Sequence, residues 1–207
     1  MNTVTSRPAD RRTHPRPPFR AKLPVLAGNL LQLGGIAAGV LLVVAAAGAR
    51  SAPAAAAALA VLGIVVTAFC SHSIGHWLAG RLAGLRFAYI GIRGTDHPET
   101  YPPVMRQVLS AVPMFTTVST RRSREAAGRW ALAAYFAAGQ TTAIIGWVGS
   151  AVLARALNIP GSTVLLSIMI AWAAGTALIA SRTPKGDYAK ARAALRATGH
   201  PRETPPA

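Results

Sequence analysis

Two histidines four residues apart, His72 and His76, are the side chains in this sequence best placed to do chemistry. On a helix that spacing stacks both imidazoles on one face, one turn apart. Two histidines grip a single zinc ion in this geometry. The pair lies toward the end of a long apolar run, within Ser71-His72-Ser73-Ile74-Gly75-His76-Trp77. Ionisable groups inside a membrane span are costly and mark functional sites by default. The plain alternative is that both rings only hydrogen-bond neighbouring helices or headgroup water. A zinc ion needs further ligands, three plus water at a catalytic site and four at a structural one. Asp187 is the one acidic residue between Glu125 and Glu203, in a basic segment where Lys185, Lys190 and Arg192 also offer it ion-pair partners.

The elements that must position these groups are apolar helices. The chain is 52% hydrophobic and only 14% charged, where a soluble domain carries about a quarter charged residues. Four runs approach or exceed the roughly 20 apolar residues that cross a bilayer: residues 23–49, 54–78, 130–157 and 162–180. The fold class expected is an all-α polytopic membrane protein with four transmembrane helices. The first run is too long for a signal h-region and follows a polar tail, so it reads as an uncleaved span.

Position explains the net charge of +16 without nucleic acid. Lys and Arg number six before the first span, one in the first connection, eight in the middle connection, one in the third and six after the last span. That alternation is the positive-inside pattern. It predicts a cytoplasmic-membrane protein with both termini and the middle connection in the cytoplasm, its basic tails touching anionic lipid. It also predicts that the ends of spans two and four share one side, so that His72, His76 and Asp187 lie at similar depth. Cys70 stands alone, which excludes an intrachain disulfide. The excess of Arg over Lys, with abundant Ala, is the bias of a GC-rich bacterial genome.

Residues 1–22, rich in Pro and Arg, read as a disordered basic cytoplasmic tail. Residues 23–190 form the expected four-helix domain, and 191–207 a basic C-terminal tail. Short links at Arg50-Ser51-Ala52-Pro53 and Asn158-Ile159-Pro160-Gly161 make two antiparallel hairpins. Between them lies a cytoplasmic segment, residues 86–129. Its start, Arg86 to Ile92, reads as a short strand. Val104 to Thr120 reads as a surface helix interrupted near Pro113, and Asp187 to Thr198 as a short basic surface helix.

The segment His72-Ser73-Ile74-Gly75-His76, followed by Ala79, Arg81, Leu82 and Gly84, resembles the zinc-binding helix of the site-2 protease family of intramembrane metalloproteases. That family's motif is His-Glu-x-Gly-His with Ala, Arg, Leu and Gly at matching places. Gly84-Leu85-Arg86-Phe87 leads into a strand in the same way. Ala137-Ala138-Gly139 is similar to the family's Ala-Gly-Pro segment, and Pro184 to Asp187 to the motif that supplies the third zinc ligand. The resemblance covers residues 54–190 and implies a metal site of His72, His76 and Asp187. Ser73 stands where the family has the Glu that activates the zinc-bound water. A hydroxyl cannot take up a proton near neutral pH, and losing a general base costs about 10²- to 10⁴-fold. Gln140, Ala143, Ser181 and Tyr188 also depart from the family pattern.

The resemblance therefore implies a zinc-binding but catalytically impaired metalloprotease homologue, a regulator or a binder of single-pass membrane peptides. A second expectation is an active peptidase with another base drawn from Asp96, Glu99 or Glu125. A third is a non-enzymatic membrane protein whose histidines are structural.

Overall fold

A computed structural model of the chain describes residues 18–95 and 103–197. Four helices are long and apolar enough to cross a membrane: α1 (Val25–Gly48), α2 (Pro53–Leu82), α5 (Arg129–Ala156) and α6 (Ser162–Arg182). The shortest has 21 residues, about 31 Å of helix against a hydrocarbon core of about 30 Å. Their residue distribution inverts that of a soluble bundle. The buried cluster is mainly alanine, with Ala46, Ala56, Ala60, Ala151 and Ala154 around Val43, Ile64 and Ile159. Leu26, Leu41, Leu62, Ile145, Val164 and Ile179 point outward. Lipid is as apolar as leucine, so nothing drives large side chains inward, and small residues let backbones approach.

That approach is closest between α1 and α2. A Cβ on Gly63 would lie 2.5 Å from the Gly39 carbonyl oxygen, and one on Gly39 would lie 2.7 Å from the Gly63 carbonyl oxygen. On its other side α2 meets α5. Thr142 Oγ1 donates to the Ser71 carbonyl at 3.0 Å, and Ser71 Oγ donates to the Thr142 carbonyl at 3.2 Å. Reciprocal hydrogen bonds of this kind hold transmembrane helices together without hydrophobic drive. The link from α5 to α6 turns on Asn158 (φ 53°) and Gly161 (φ 75°), and Trp147 meets Trp172 edge-on across it.

At the opposite end of the bundle lies a three-stranded antiparallel sheet in the order β1 (Ala21–Leu23), β2 (Phe87–Arg93), β3 (Met114–Ser119). Gly84 (φ 82°) ends α2, and the Leu85 amide donates back to the Gly80 carbonyl at 2.8 Å. This closure satisfies an orphan carbonyl of the last turn and sends the chain into β2. Helix α3 (Pro103–Ala111) connects β2 to β3, and α4 (Arg121–Ala126) follows it. Helix α7 (Asp187–Arg196) starts after a tight turn in which Gly186 N donates to the Thr183 carbonyl at 2.8 Å.

The short strand expected from Arg86 to Ile92 is present as β2, but it belongs to a sheet with two further strands. Residues 21 and 22 of the expected tail and Leu23 at the start of the first expected span form β1, paired through Lys22 opposite Gly91. The helix expected over 104–120 stops at Ala111. Beyond Pro113 the β-branched Thr116, Thr117 and Val118 form β3 against β2. Arg20 fixes this edge by donating to the Ser110 and Ala111 carbonyls at 2.6 and 2.8 Å, at the C-terminus of α3, where a cation is favoured. Residues 1–17, 96–102 and 198–207, which include Asp96, Glu99 and the end of the expected C-terminal tail, lie outside the described residues.

Because backbone blocks the space beside Gly63, Gly63→Ala should destabilise the α1–α2 pair by about 1–3 kcal/mol, the usual cost of overpacking. Thermal unfolding in detergent measures this. Gly48→Ala, with nothing within 4 Å of its new Cβ, should leave the midpoint unchanged.

Candidate metal centre

His72 and His76 lie in the last third of α2 with their ring centroids 4.9 Å apart and nearly perpendicular. Asp187 opens α7, and the α6–α7 turn brings it over them. Its Oδ2 lies 3.4 Å from His72 Nε2 and 3.3 Å from His76 Nε2. One carboxylate oxygen thus faces two imidazole nitrogens. This trio is the one group of three metal-ligating side chains among the described residues, with all three ligand atoms within 4.8 Å of one another.

The orientation of each member has a visible cause. His76 Nδ1 lies 2.6 Å from the Tyr135 carbonyl of α5. A carbonyl only accepts, so Nδ1 carries the proton. Gly139 lies beneath the same ring, and a Cβ there would overlap the imidazole. Tyr135 is anchored in turn to β3, its hydroxyl 3.2 Å from Thr117 Oγ1. Asp187 is held by Lys190, whose Nζ lies 3.2 Å from Oδ1, which leaves Oδ2 to the histidines. The neighbouring Tyr188 hydroxyl lies 3.0 Å from Thr141 Oγ1 and ties α7 to α5.

With its proton on Nδ1, neutral His76 turns the lone pair of Nε2 toward an anionic oxygen 3.3 Å away. Two acceptors in that position repel unless a cation lies between them. A second proton is one such cation, giving an imidazolium; a metal ion is the other. Tetrahedral ligands bound at about 2.0–2.1 Å are about 3.3–3.4 Å apart, which is the spacing of both nitrogens from Oδ2. Two of the three ligand-to-ligand edges thus match a tetrahedral zinc site, the third pair of atoms lies within 4.8 Å, and the trio offers zinc three protein ligands. The His76 and Asp187 side chains are 11% and 15% exposed and His72 is 35% exposed, so the trio is open on the His72 side.

Burial pushes the Asp187 carboxyl up, but a hydrogen bond from His76, the charge that His76 and His72 carry when protonated, and that of Lys190 outweigh the effect. The group is held well below the usual carboxylate range. Asp187 is thus ionised at neutral pH, the form that ligates a metal.

Ser73 follows His72 on α2 but is 1% exposed, and its Oγ has no hydrogen-bond partner. Helix α1 contributes Asn29 and Gln32, both buried, each with an unpartnered side-chain carbonyl. Of the carboxylates considered as substitute bases, Glu125 pairs with Arg121 at 2.7 Å on exposed α4, while Asp96 and Glu99 lie outside the described residues. Lys190, one of the three cations the sequence offers Asp187, does pair with it, as the i, i+3 spacing allows. The structure adds Tyr135, for which a main-chain carbonyl gives no sequence signal. No protein-family model, curated protein or solved structure matches this chain.

Gly139→Ala should drive the His76 ring off the Tyr135 carbonyl and lower stability by about 1–3 kcal/mol. Gly149→Ala on the same helix, with no atom within 4 Å of the new Cβ, should not. Thermal unfolding of the two variants in one detergent makes the comparison.

Proposed function

We propose that this chain is a site-2-protease-like membrane protein that holds zinc through His72, His76 and Asp187 and engages membrane peptides without cutting them efficiently. One observation carries the metal: with Nδ1 turned to the Tyr135 carbonyl, His76 aims Nε2 at the Asp187 carboxylate at tetrahedral-edge distance, where a metal ion competes with a second proton. Zinc in such a site supplies a Lewis acid that polarises a bound water or carbonyl. The remaining work falls to the chain's own residues. Tyr135 fixes the tautomer of His76 through its carbonyl. Lys190 keeps one Asp187 oxygen occupied and the other presented. The exposed side of His72 leaves an approach for a peptide.

Impaired turnover follows from Ser73. Its hydroxyl cannot serve as a general base near neutral pH, and no described carboxylate beyond the ligand Asp187 joins the cluster. The sheet and α7 share one end of the bundle with the trio. On the positive-inside reading of the charge, that end is cytoplasmic and both termini lie there. The partners are then the bilayer and a single-pass membrane peptide.

A ligand that binds only the folded state stabilises it by RT ln(1 + [L]/Kd). Zinc added to chelator-treated protein at about 100 times its Kd should therefore raise stability by about 2.7 kcal/mol. Asp187→Asn should show no such response at the same concentration. A wild-type midpoint that zinc leaves unmoved would exclude the metal, leaving Asp187 and the histidines as an ion-paired structural cluster.

A further inference from the structure

Two cavities lie end to end along α6, and neither belongs to the metal centre. The first is an apolar groove of about 390 Å³ on the outer face, lined by Ile168, Ala171, Trp172, Gly175, Thr176 and Ile179. The second is a shallow pocket of about 490 Å³ where α6 meets α7, lined by Arg182, Arg192 and Arg196 with Ser181 and alanines of α7. Arg182 is one helical turn beyond Ile179, so the basic pocket begins where the apolar groove ends. No ion pair within the described residues involves any of the three arginines. Arg192 donates to the Ser181 carbonyl, which pins its guanidinium at the pocket wall.

We infer that this composite surface binds one anionic phospholipid, its phosphate in the arginine pocket and an acyl chain in the α6 groove. Three features select that occupant. Unpaired guanidinium groups match phosphate oxygens in charge and geometry. The pocket lies at the end of a membrane-spanning helix, at the level where headgroups lie. Ile168 to Ile179 spans about 16 Å of helix, close to the depth of one leaflet, about half of the 30 Å hydrocarbon core. A free phosphate would use the pocket and leave the groove without a role; a partner helix would use the groove and leave the arginines unmatched. Arg192 and Arg196 share α7 with Asp187, so a seated headgroup would also brace the helix that carries the third member of the trio.

Native mass spectrometry of the full chain, purified in a neutral detergent, tests this with phosphatidylglycerol and phosphatidylcholine of identical chains. Phosphatidylglycerol should be retained at least tenfold better. Arg182→Gln/Arg196→Gln should lose that preference, whereas Arg121→Gln/Arg122→Gln, the same charge removed from α4, should keep it. Gly175→Leu projects into open space and fills the groove; it should reduce retention without lowering the thermal midpoint. Inorganic phosphate at about 10 mM should not displace the lipid, because it lacks the acyl chain whose buried apolar surface adds to the headgroup contacts. Equal retention of both lipids, equal loss in the α4 variant, or full retention in Gly175→Leu would each overturn the inference. So would displacement by phosphate, which would assign the arginines to a free anion.

Discussion

The hydrogen bond from His76 Nδ1 to the Tyr135 carbonyl is the contact on which the rest of the site depends. It joins α2 to α5 inside the bundle, and by consuming the only proton of a neutral imidazole it decides which nitrogen faces Asp187. Had Nδ1 been free, the ring could place its proton on Nε2 and donate to Asp187, and the trio would be an ordinary hydrogen-bonded cluster. With Nδ1 committed, Nε2 meets the carboxylate either through a second proton, as an imidazolium ion pair, or through a metal ion. Partners that fix the tautomer of a ligating histidine in this way are a general feature of metal sites. Here the partner is main chain, which a side-chain substitution does not delete.

The precision of that contact comes from how the helices pack. In lipid, helix association depends on close backbone approach and polar bonds between helices. Gly39 and Gly63 bring α1 against α2; Gly75, Gly139 and Gly146 bring α5 against the other side. The reciprocal bonds of Ser71 and Thr142 then set the register, so that Tyr135 arrives level with His76. The sheet braces the same region from outside, through Tyr135 and Thr117. The candidate metal site and the packing of the apolar helices thus rest on one set of small residues.

Much of this was legible in the sequence because hydropathy, charge alternation and helical spacing are local signals. The four spans, the shared face of His72 and His76, and the common depth of Asp187 all follow from them. The sheet was only half legible. Strand β1 is three residues long, Ala21–Leu23, and exists because β2 offers it an edge, so no local pattern announces it. The amphipathic stretch before Pro113 predicts a helix that runs on through β3, whereas Thr116, Thr117 and Val118 favour the strand that forms. The contact to the Tyr135 carbonyl and the burial of Ser73 depend on tertiary placement alone.

The central claim is that His72, His76 and Asp187 hold one divalent ion. Metal content per chain, measured by elemental analysis of detergent-purified wild type and of His72→Ala/His76→Ala, tests it most directly. The account predicts about one zinc per wild-type chain and none in the double variant. A wild-type protein purified without zinc, and unable to take it up, would contradict it, as would a double variant that keeps its zinc.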